Sequence, residues 1–353
     1  MTRRYQIAAI PGDGIGTEVV PAAQHVLESA GSRFGFELAW RPFDWSCERY
    51  RATGAMMPDD GLDQLRPLDA IFLGAVGYPG VADHISLWGL LIPIRRGFQQ
   101  YVNLRPVRLF RGVESPLRDR EPGSIDFCVV RENTEGEYSE VGGRFAQHTD
   151  DETAVQTAIF TRRGCDRVMR FAFELAARRK QHVTSATKSN GIIHSMPFWD
   201  ERFAAIAREY PAITADQYHV DILSAHFVRH PDWFDVVVGS NLFGDILSDL
   251  APAIAGSIGI APSANLNPER DYPSMFEPVH GSAPDIAGRG IANPIGQIAS
   301  GAMMLEHLGE SDAAAAVQRA IETVLANPSL PRTADLGGRA STRDVATAIA
   351  AAL

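Results

Sequence analysis

Three aspartates, in two separate stretches, are candidates for binding a divalent cation. Asp245 and Asp249 lie four residues apart in a run that predicts a helix capped by Asn241, so their carboxylates share one helix face and repel unless a cation lies between them. Carboxylates without nearby His or Cys suit Mg²⁺ or Mn²⁺ better than Zn²⁺. Asp221 lies in an apolar run, where an unpaired carboxylate is costly, and either a structural or a ligand role fits it.

Three arginines are candidates for binding the carboxylates of a ligand. Arg95, Arg105 and Arg131 each lie near the edge of an apolar run, and a guanidinium fork binds carboxylates in pairs. Taken singly, each also fits a surface salt bridge. Together with a divalent cation, they predict a small di-acid as the ligand.

Lys188 and Tyr138 are candidate proton carriers. Lysine occurs only at positions 180 and 188, and unlike arginine it can release its proton near neutrality. Lys188 follows a predicted strand and precedes Ser189-Asn190-Gly191. For Tyr138, a simple packing role is the alternative.

Two glycine-containing segments could contact a nucleotide. Residues 277–288 are too rich in Gly and Pro for a regular element, and their amides could bind phosphate while Asp285 accepts hydrogen bonds from a ribose diol, which favours NAD over NADP. Residues 12–16, GDGIG, resemble a dinucleotide fingerprint, but Thr17 replaces the third glycine and no acidic residue follows at the expected spacing. Two interpretations of this second segment remain open: a tight turn before a helix, or a loop that lines a ligand cleft.

Composition excludes several classes of protein. The 353 residues suggest about two domains, and a net charge of −10 argues against binding nucleic acid or anionic lipid. The three cysteines show no CxxC spacing, which predicts reduced thiols and a cytoplasmic protein. The first apolar run is too short for a signal sequence, and no apolar stretch reaches the roughly 18 residues of a membrane span.

Apolar runs alternate with helical patterns along the chain, which predicts an α/β fold with much parallel pairing. The first helix is expected at Val19 to Ala30, closed by Gly31. We place the domain crossings near residues 104–106 and 256–262, giving a large domain of 1–103 plus 256–353 and a small one of 104–255. The predicted strands are 5–10, 69–74, 125–130, 182–187, 220–225 and 234–239; further helices are expected at 164–179, at 197–209 and in the Ala-rich tail 311–353; residues 153–162 are expected to be β-rich.

Six motifs in order resemble the β-decarboxylating dehydrogenases, the family of isocitrate, 3-isopropylmalate, D-malate and tartrate dehydrogenases. The resemblance implies an isopropylmalate dehydrogenase-like α/β fold: a large NAD-binding domain with a largely parallel sheet, a small α/β domain that holds metal and substrate, and a central cleft. It also implies a homodimer joined by a β arm. The motifs are PGDGIG (11–16), NLRP (103–106), RENTEG (131–136), TKSN (187–190), NLFGDILSD (241–249) and EPVHGSAPDIAG (277–288).

The resemblance also assigns roles to matching positions. Lys188 would be the base and Tyr138 the acid of an NAD-dependent oxidation followed by metal-assisted loss of the β-carboxylate, with active sites shared across the dimer because Lys188 and Asp221 reach the partner's site. Arg95, Arg105 and Arg131 would bind substrate carboxylates, and Asp221, Asp245 and Asp249 would bind Mg²⁺ or Mn²⁺. The cofactor positions would be Ile10, Asn190, Glu277, His280, Gly281, Ser282, Ala283, Pro284, Asp285, Ile286 and Asn293.

Residues 86–95 are the stretch with which the family reads the substituent on C3. Compared with the leucine-biosynthesis pattern, one extra residue precedes Arg95, and Trp88 and Pro93 are added. Trp88, with Leu91 beside it, is expected to fill the space of an isopropyl group, and only Ser86 is available for a third carboxylate. The segment is most similar to the tartrate and D-malate branch, which often requires K⁺.

D-malate oxidised to pyruvate and CO₂, and L-tartrate oxidised to oxaloglycolate, are therefore the expected reactions. Three alternatives remain open: a 3-isopropylmalate dehydrogenase, a metal-dependent decarboxylase or hydro-lyase without a redox step, and a non-catalytic carboxylate-binding dimer.

Overall fold

A computed structural model describes residues 3–353, which form two compact units. The first unit takes in the chain up to Gln100, together with Leu104–Ile125 and Ala251–Leu353. The second consists of Tyr101–Asn103 and Asp126–Leu250. The predicted small domain began at residue 104, whereas the structure groups Leu104–Ile125 with the first unit.

The secondary structure alternates strands with helices, as expected for the α/β class. Short 3₁₀ turns lie at Pro231–Trp233, Ile258–Ile260 and Ala334–Leu336, and a π-helical turn lies at Leu87–Leu91. The strands are β1 (Arg3–Gly12), β2 (Phe36–Pro42), β3 (Ala70–Ala75), β4 (Val102–Arg108), β5 (Asp126–Glu132), β6 (Gly142–Phe145), β7 (Thr153–Gln156), β8 (His182–Thr187), β9 (Thr214–His219), β10 (Val236–Gly239), β11 (Pro262–Leu266) and β12 (Ser274–Pro278). The α-helices are α1 (Gly16–Phe34), α2 (Cys47–Thr53), α3 (Gly61–Leu65), α4 (Asp83–Ser86), α5 (Ile92–Gly97), α6 (Arg162–Ala177), α7 (Ser195–Ala207), α8 (Val220–Arg229), α9 (Asn241–Ile254), α10 (Ile295–His307), α11 (Ser311–Ala326) and α12 (Thr342–Ala351).

The sheet of the first unit has the order β2-β1-β3-β12-β11-β4. The β1/β2, β1/β3 and β3/β12 pairs are parallel, and β11/β12 is antiparallel. Parallel strands need covering on both faces, which explains why every residue of β3 and β12 is buried. Helix α1 packs against α10, α11 and α12, and its buried side chains recur at helical spacing.

The sheet of the second unit has the order β5-β10-β8-β9, with all pairs parallel. Helix α6 packs against β5, β8, β10 and α7. Strands β6 and β7 form a separate antiparallel pair in which every residue is exposed. The predicted α/β class with a largely parallel sheet is confirmed.

Three expected elements are corrected. Helix α1 ends three residues beyond the predicted stop, because Gly35, with φ of 78°, adopts the left-handed conformation and donates its N–H to the Gly31 carbonyl. Residues 220–225 were expected to form a strand but belong to α8, where Leu223 and Phe227 bury one face at i, i+4 spacing. The strand is the preceding segment, β9. In the predicted β-rich region 153–162, the strand β7 covers only Thr153–Gln156.

Among residues 3–353, no helix combines the length and the apolar character that crossing a membrane requires.

Candidate active site

In the second unit, Arg131 and Tyr138 converge on Asp245. Arg131 lies in β5 with its side chain almost fully buried, and it forms an ion pair with Asp245. The hydroxyl of Tyr138 donates to the other oxygen of Asp245 at 2.8 Å, and the Arg131 guanidinium lies 5.4 Å from the Tyr138 ring centroid. The structure therefore brings together a predicted carboxylate-binding arginine, a predicted acid and a predicted metal ligand.

The start of α9 holds this group in place. The Nε and Nη2 atoms of Arg131 donate to the side-chain oxygen of Asn241 at 2.9 and 2.7 Å. Glu137 accepts from the Ser240 hydroxyl at 2.7 Å and from the Leu242 N–H at 3.0 Å, a favourable place for a carboxylate at a helix N-terminus. Asn241 was expected to cap this helix, but it is the first helical residue and orients Arg131 instead. The Ser240 hydroxyl, one residue earlier, accepts from the Phe243 N–H at 3.4 Å.

Glu132 is a site-neighbouring residue that the sequence reasoning missed. It is buried and accepts from the N–H groups of Thr134 and Glu135 at 2.9 and 2.8 Å, which shapes the loop leading to Tyr138. Burial raises the pKa of its carboxyl to about 7, although these hydrogen bonds oppose the rise. Its place in the RENTEG motif, at the last residue of β5, is the only sequence signal for it.

Lys188 and Asp221 lie together elsewhere in the second unit. Lys188 follows β8, Asp221 lies in the first turn of α8, and their Nζ and Oδ2 atoms are 2.7 Å apart. The hydrogen bond from Lys188 lowers the pKa of Asp221, which is otherwise exposed to solvent.

The expected metal ligands are not assembled within one chain. Among residues 3–353, no group of three or more His, Cys, Asp or Glu side chains is placed to hold a metal ion. Asp245 and Asp249 lie on successive turns of α9, and this pair of oxygen donors fits Mg²⁺ or Mn²⁺. Asp221 instead pairs with Lys188. The three-aspartate site stays a prediction, and it requires Asp221 from a second copy.

In the first unit, Arg95 is held by Glu277. Arg95 lies in α5 and Glu277 in β12, and their side chains, 7% and 11% exposed, form an ion pair at 2.8 Å. The Asn265 amide also donates to Glu277, at 2.6 Å. Glu277 was expected to contact the cofactor, and the structure shows that it orients Arg95. Arg105 is buried in β4.

The segment expected to read the C3 substituent contains the π-helical turn. The N–H of Ile92 donates to the Leu87 carbonyl, an i to i+5 bond that accommodates one residue more than an α-helical turn. This turn lies where the sequence indicated an extra residue. Trp88 and Leu91 are partly exposed, and the Arg96 guanidinium lies 5.0 Å from the Trp88 ring centroid.

The loop after β12, which holds most of the predicted cofactor positions, contains both buried and exposed side chains. His280 is buried, its Nδ1 lies 3.0 Å from the Gly281 carbonyl oxygen, and burial lowers its pKa. Asp285 is exposed, whereas Asn293 donates to Asp335 at 2.9 Å. Of the remaining predicted cofactor positions, Ser282 is buried, Ala283 and Ile286 are partly buried, Gly281 and Pro284 are exposed, Ile10 is buried within β1, and Asn190 is exposed in the second unit.

Sequence comparison identifies relatives along the whole chain. D-malate dehydrogenase (decarboxylating) of Escherichia coli K12 is 59% identical over 357 residues, covering 99% of this chain and 98% of that protein. Tartrate dehydrogenase/decarboxylase of Pseudomonas putida is 58% identical, covering 98% and 96%. A probable tartrate dehydrogenase/decarboxylase of Bacillus subtilis 168 is 54% identical, covering 99% and 98%.

Solved structures agree with these relatives. Isocitrate dehydrogenase from Methylococcus capsulatus superposes with a TM-score of 0.89 at 36% identity, covering 99% of both chains. Residues 6–349 match the isocitrate/isopropylmalate dehydrogenase sequence family. The resemblance seen in the six motifs is confirmed, and the chain belongs to the isocitrate/isopropylmalate dehydrogenase family.

Proposed function

We propose that this protein is an NAD-dependent dehydrogenase of small 2-hydroxy di-acids, which oxidises and decarboxylates D-malate to pyruvate and oxidises L-tartrate to oxaloglycolate. The convergence of Arg131 and Tyr138 on Asp245 carries the proposal, because it joins a carboxylate-binding group, a proton donor and a cation ligand. The high identity to D-malate and tartrate dehydrogenases supports the choice of substrates.

The three arginines, Lys188 and Tyr138 each have a role in this proposal. Arg131, fixed by Asn241, binds a substrate carboxylate, as do Arg95 and Arg105. The partner's Lys188 takes the proton of the C2 hydroxyl, and NAD⁺, when bound, would supply the acceptor for the hydride of C2. The bond from C3 to the β-carboxylate then breaks, releasing CO₂ from D-malate, and the Tyr138 hydroxyl supplies a proton to C3.

Asp245, Asp249 and the partner's Asp221 are proposed to hold Mg²⁺ or Mn²⁺, which supplies Lewis-acid polarisation of substrate oxygens. The exposed Asp285 is proposed to accept hydrogen bonds from the adenosine ribose of NAD, with His280, Ile286 and Asn293 nearby in sequence. A K⁺ requirement is proposed from the resemblance to the tartrate and D-malate branch.

A homodimer is proposed as the catalytic unit. Exposed large apolar side chains are concentrated in the second unit, where solvent contact is costly unless a partner covers them. The β6/β7 pair is fully exposed and contributes Phe145 and Val155 to this set, and Ile222 lies beside Asp221 on α8. A partner that covers this surface would also bring a second Asp221.

Steady-state assays on the purified chain with NAD⁺ and Mn²⁺ test the proposal. The substrates are D-malate, L-tartrate, 3-isopropylmalate and isocitrate, and the products NADH and CO₂ are measured separately. We expect kcat/KM for D-malate or L-tartrate to exceed that for 3-isopropylmalate by about tenfold or more, the size of effect that one misfitted apolar group produces.

Two results would contradict the proposal. A kcat/KM highest for 3-isopropylmalate would reassign the substrate, and release of CO₂ without NADH would indicate a non-redox decarboxylase. Lys188→Ala is the control that shows turnover comes from this site. Unchanged turnover in that variant would mean that the activity has another origin, which favours the non-catalytic carboxylate-binding dimer.

A further inference from the structure

The GDGIG loop, which lacks the third glycine of a dinucleotide fingerprint, has a different structural role that is centred on Asp13. The loop begins where β1 ends, and β1 is parallel to both of its neighbours, β2 and β3. The carboxyl ends of parallel strands meet at one edge of a sheet, so the loops that follow these three strands lie together. Ligands of open α/β sheets bind at this edge.

Asp13 joins the loops after β1, β2 and β3. Its carboxylate accepts from the N–H of Cys47, in the segment after β2, at 2.9 Å, and from the N–H of Gly77, after β3, at 3.0 Å. Its own N–H donates to the Ala75 carbonyl at 2.7 Å. The side chain is buried and, within residues 3–353, forms no ion pair, so backbone N–H groups stabilise its charge.

The same loop also contacts the segment after β12, a fourth strand that runs parallel to β3. The N–H of Ile15 donates to the Ser282 carbonyl at 2.9 Å. Gly14 has φ of 55°, and a Cβ atom there would overlap the Ser282 carbonyl. A Cβ atom on Gly77 would lie 3.7 Å from the Ser282 hydroxyl. Ser282 is therefore flanked by two backbone segments that Asp13 connects.

We propose that Asp13 is a positioning residue for the coenzyme: it fixes the loops after β1, β2 and β3 and thereby the Ser282 segment that binds NAD. This inference rests on the proposed function, which assigns NAD to the segment. The inference also explains the glycines of the motif without a phosphate bound in the turn. Gly12 and Gly14 have no Cβ atom, which allows their backbones to approach Ala75 and Ser282 closely.

Asp13→Asn is the direct test, because the amide keeps the size of the side chain but turns an N–H group toward one of the two donors. Losing a charge-assisted hydrogen bond and misplacing the loop is expected to raise KM for NAD⁺ about tenfold or more. The KM for D-malate and kcat at saturating NAD⁺ are expected to change less than about threefold, within the spread of neutral substitutions.

Asp69→Asn is the control for loss of a carboxylate that accepts a backbone N–H, although Asp69 is exposed and Asp13 is buried. Asp69 also accepts a backbone N–H in the first unit, from Gln6 at 2.6 Å, but it precedes β3 at the opposite end of that strand. Its substitution is expected to lower thermal stability and leave KM for NAD⁺ unchanged. A folded Asp13→Asn enzyme with unchanged KM for NAD⁺, or with kcat and both KM values altered equally, overturns the inference.

If Asp13→Asn does not fold, a second pair of variants tests whether Asp13 positions the NAD-binding segment. Cys47 is the first residue of α2 and follows an extended Ser46, positions that tolerate proline and its preceding residue. Cys47→Pro removes the N–H that Asp13 accepts, whereas Cys47→Ala removes only the thiol. We expect a KM for NAD⁺ several-fold higher in Cys47→Pro than in Cys47→Ala, and equal values would refute the role of Asp13.

Measurements on the wild-type enzyme distinguish a failure of the proposed function from a failure of the inference about Asp13. Fluorescence titration with NADH gives the dissociation constant directly, without turnover. Wild-type binding of NADH with no turnover of any hydroxy acid would reject the proposed function but leave the role of Asp13 decided by the variants. No NADH binding by the wild type would reject both.

Discussion

Replacing Glu277 by glutamine tests whether the buried pair with Arg95 maintains the first unit. The two charges lie 2.8 Å apart in side chains that are 7% and 11% exposed. At an effective dielectric constant of about 20, their gross Coulomb attraction is about 6 kcal/mol, and desolvation of both groups offsets part of it. Removing one partner of such a pair costs about 3–5 kcal/mol, because the other charge stays buried.

Glutamine keeps an oxygen that can accept from Arg95 or Asn265, so we expect the lower end of this range, about 3 kcal/mol. The free energy of unfolding is measured by urea titration at pH 7 and fixed protein concentration, without NAD or metal. The KM for D-malate is expected to rise as well, because Arg95 loses the group that orients it.

Glu322→Gln is the control, since Glu322 pairs with Arg108 in the same unit with side chains that are 36% and 49% exposed. An exposed pair contributes less than about 1 kcal/mol, so this variant should unfold close to the wild type. If Glu277→Gln loses no more stability than Glu322→Gln, burial does not strengthen the Arg95 pair and the reasoning is wrong.

Four further predictions concern the catalytic lysine, the metal ion, the loop contacts and pH. Lys188→Ala is expected to lower kcat by about 10²–10⁴ with little change in NADH affinity, and chelation by EDTA should abolish turnover until Mn²⁺ is restored. Gly14→Ala should destabilise the fold more than Gly35→Ala, measured by thermal unfolding, because both have positive φ but only Gly14 abuts Ser282. Burial lowers the pKa of His307 to about 4, so the fold favours its neutral form. That stability is present above about pH 6.5 and is lost as pH falls toward 4, by at most about 3 kcal/mol, and His307→Gln should flatten acid unfolding curves in this window.

The amino-acid sequence was sufficient to predict the α/β class and the family. Alternating apolar runs and helical patterns are local properties, as is the order of short motifs such as NLFGDILSD, so no contact between distant residues was needed. The i, i+4 spacing of Asp245 and Asp249 likewise follows from the helix alone. Where local periodicity was ambiguous, prediction failed, and the run 220–225 was expected as a strand although it begins α8.

Only the tertiary structure decided which side chains meet. Arg95 and Glu277 are 182 residues apart, and Asp13 contacts Cys47 and Gly77 because β1 lies between β2 and β3. Asp221 meets Lys188, 33 residues away, and not Asp245 of its own chain. Strand order determines such pairings, and strand order depends on which hydrophobic faces pack together, which a pattern of local residue types does not encode.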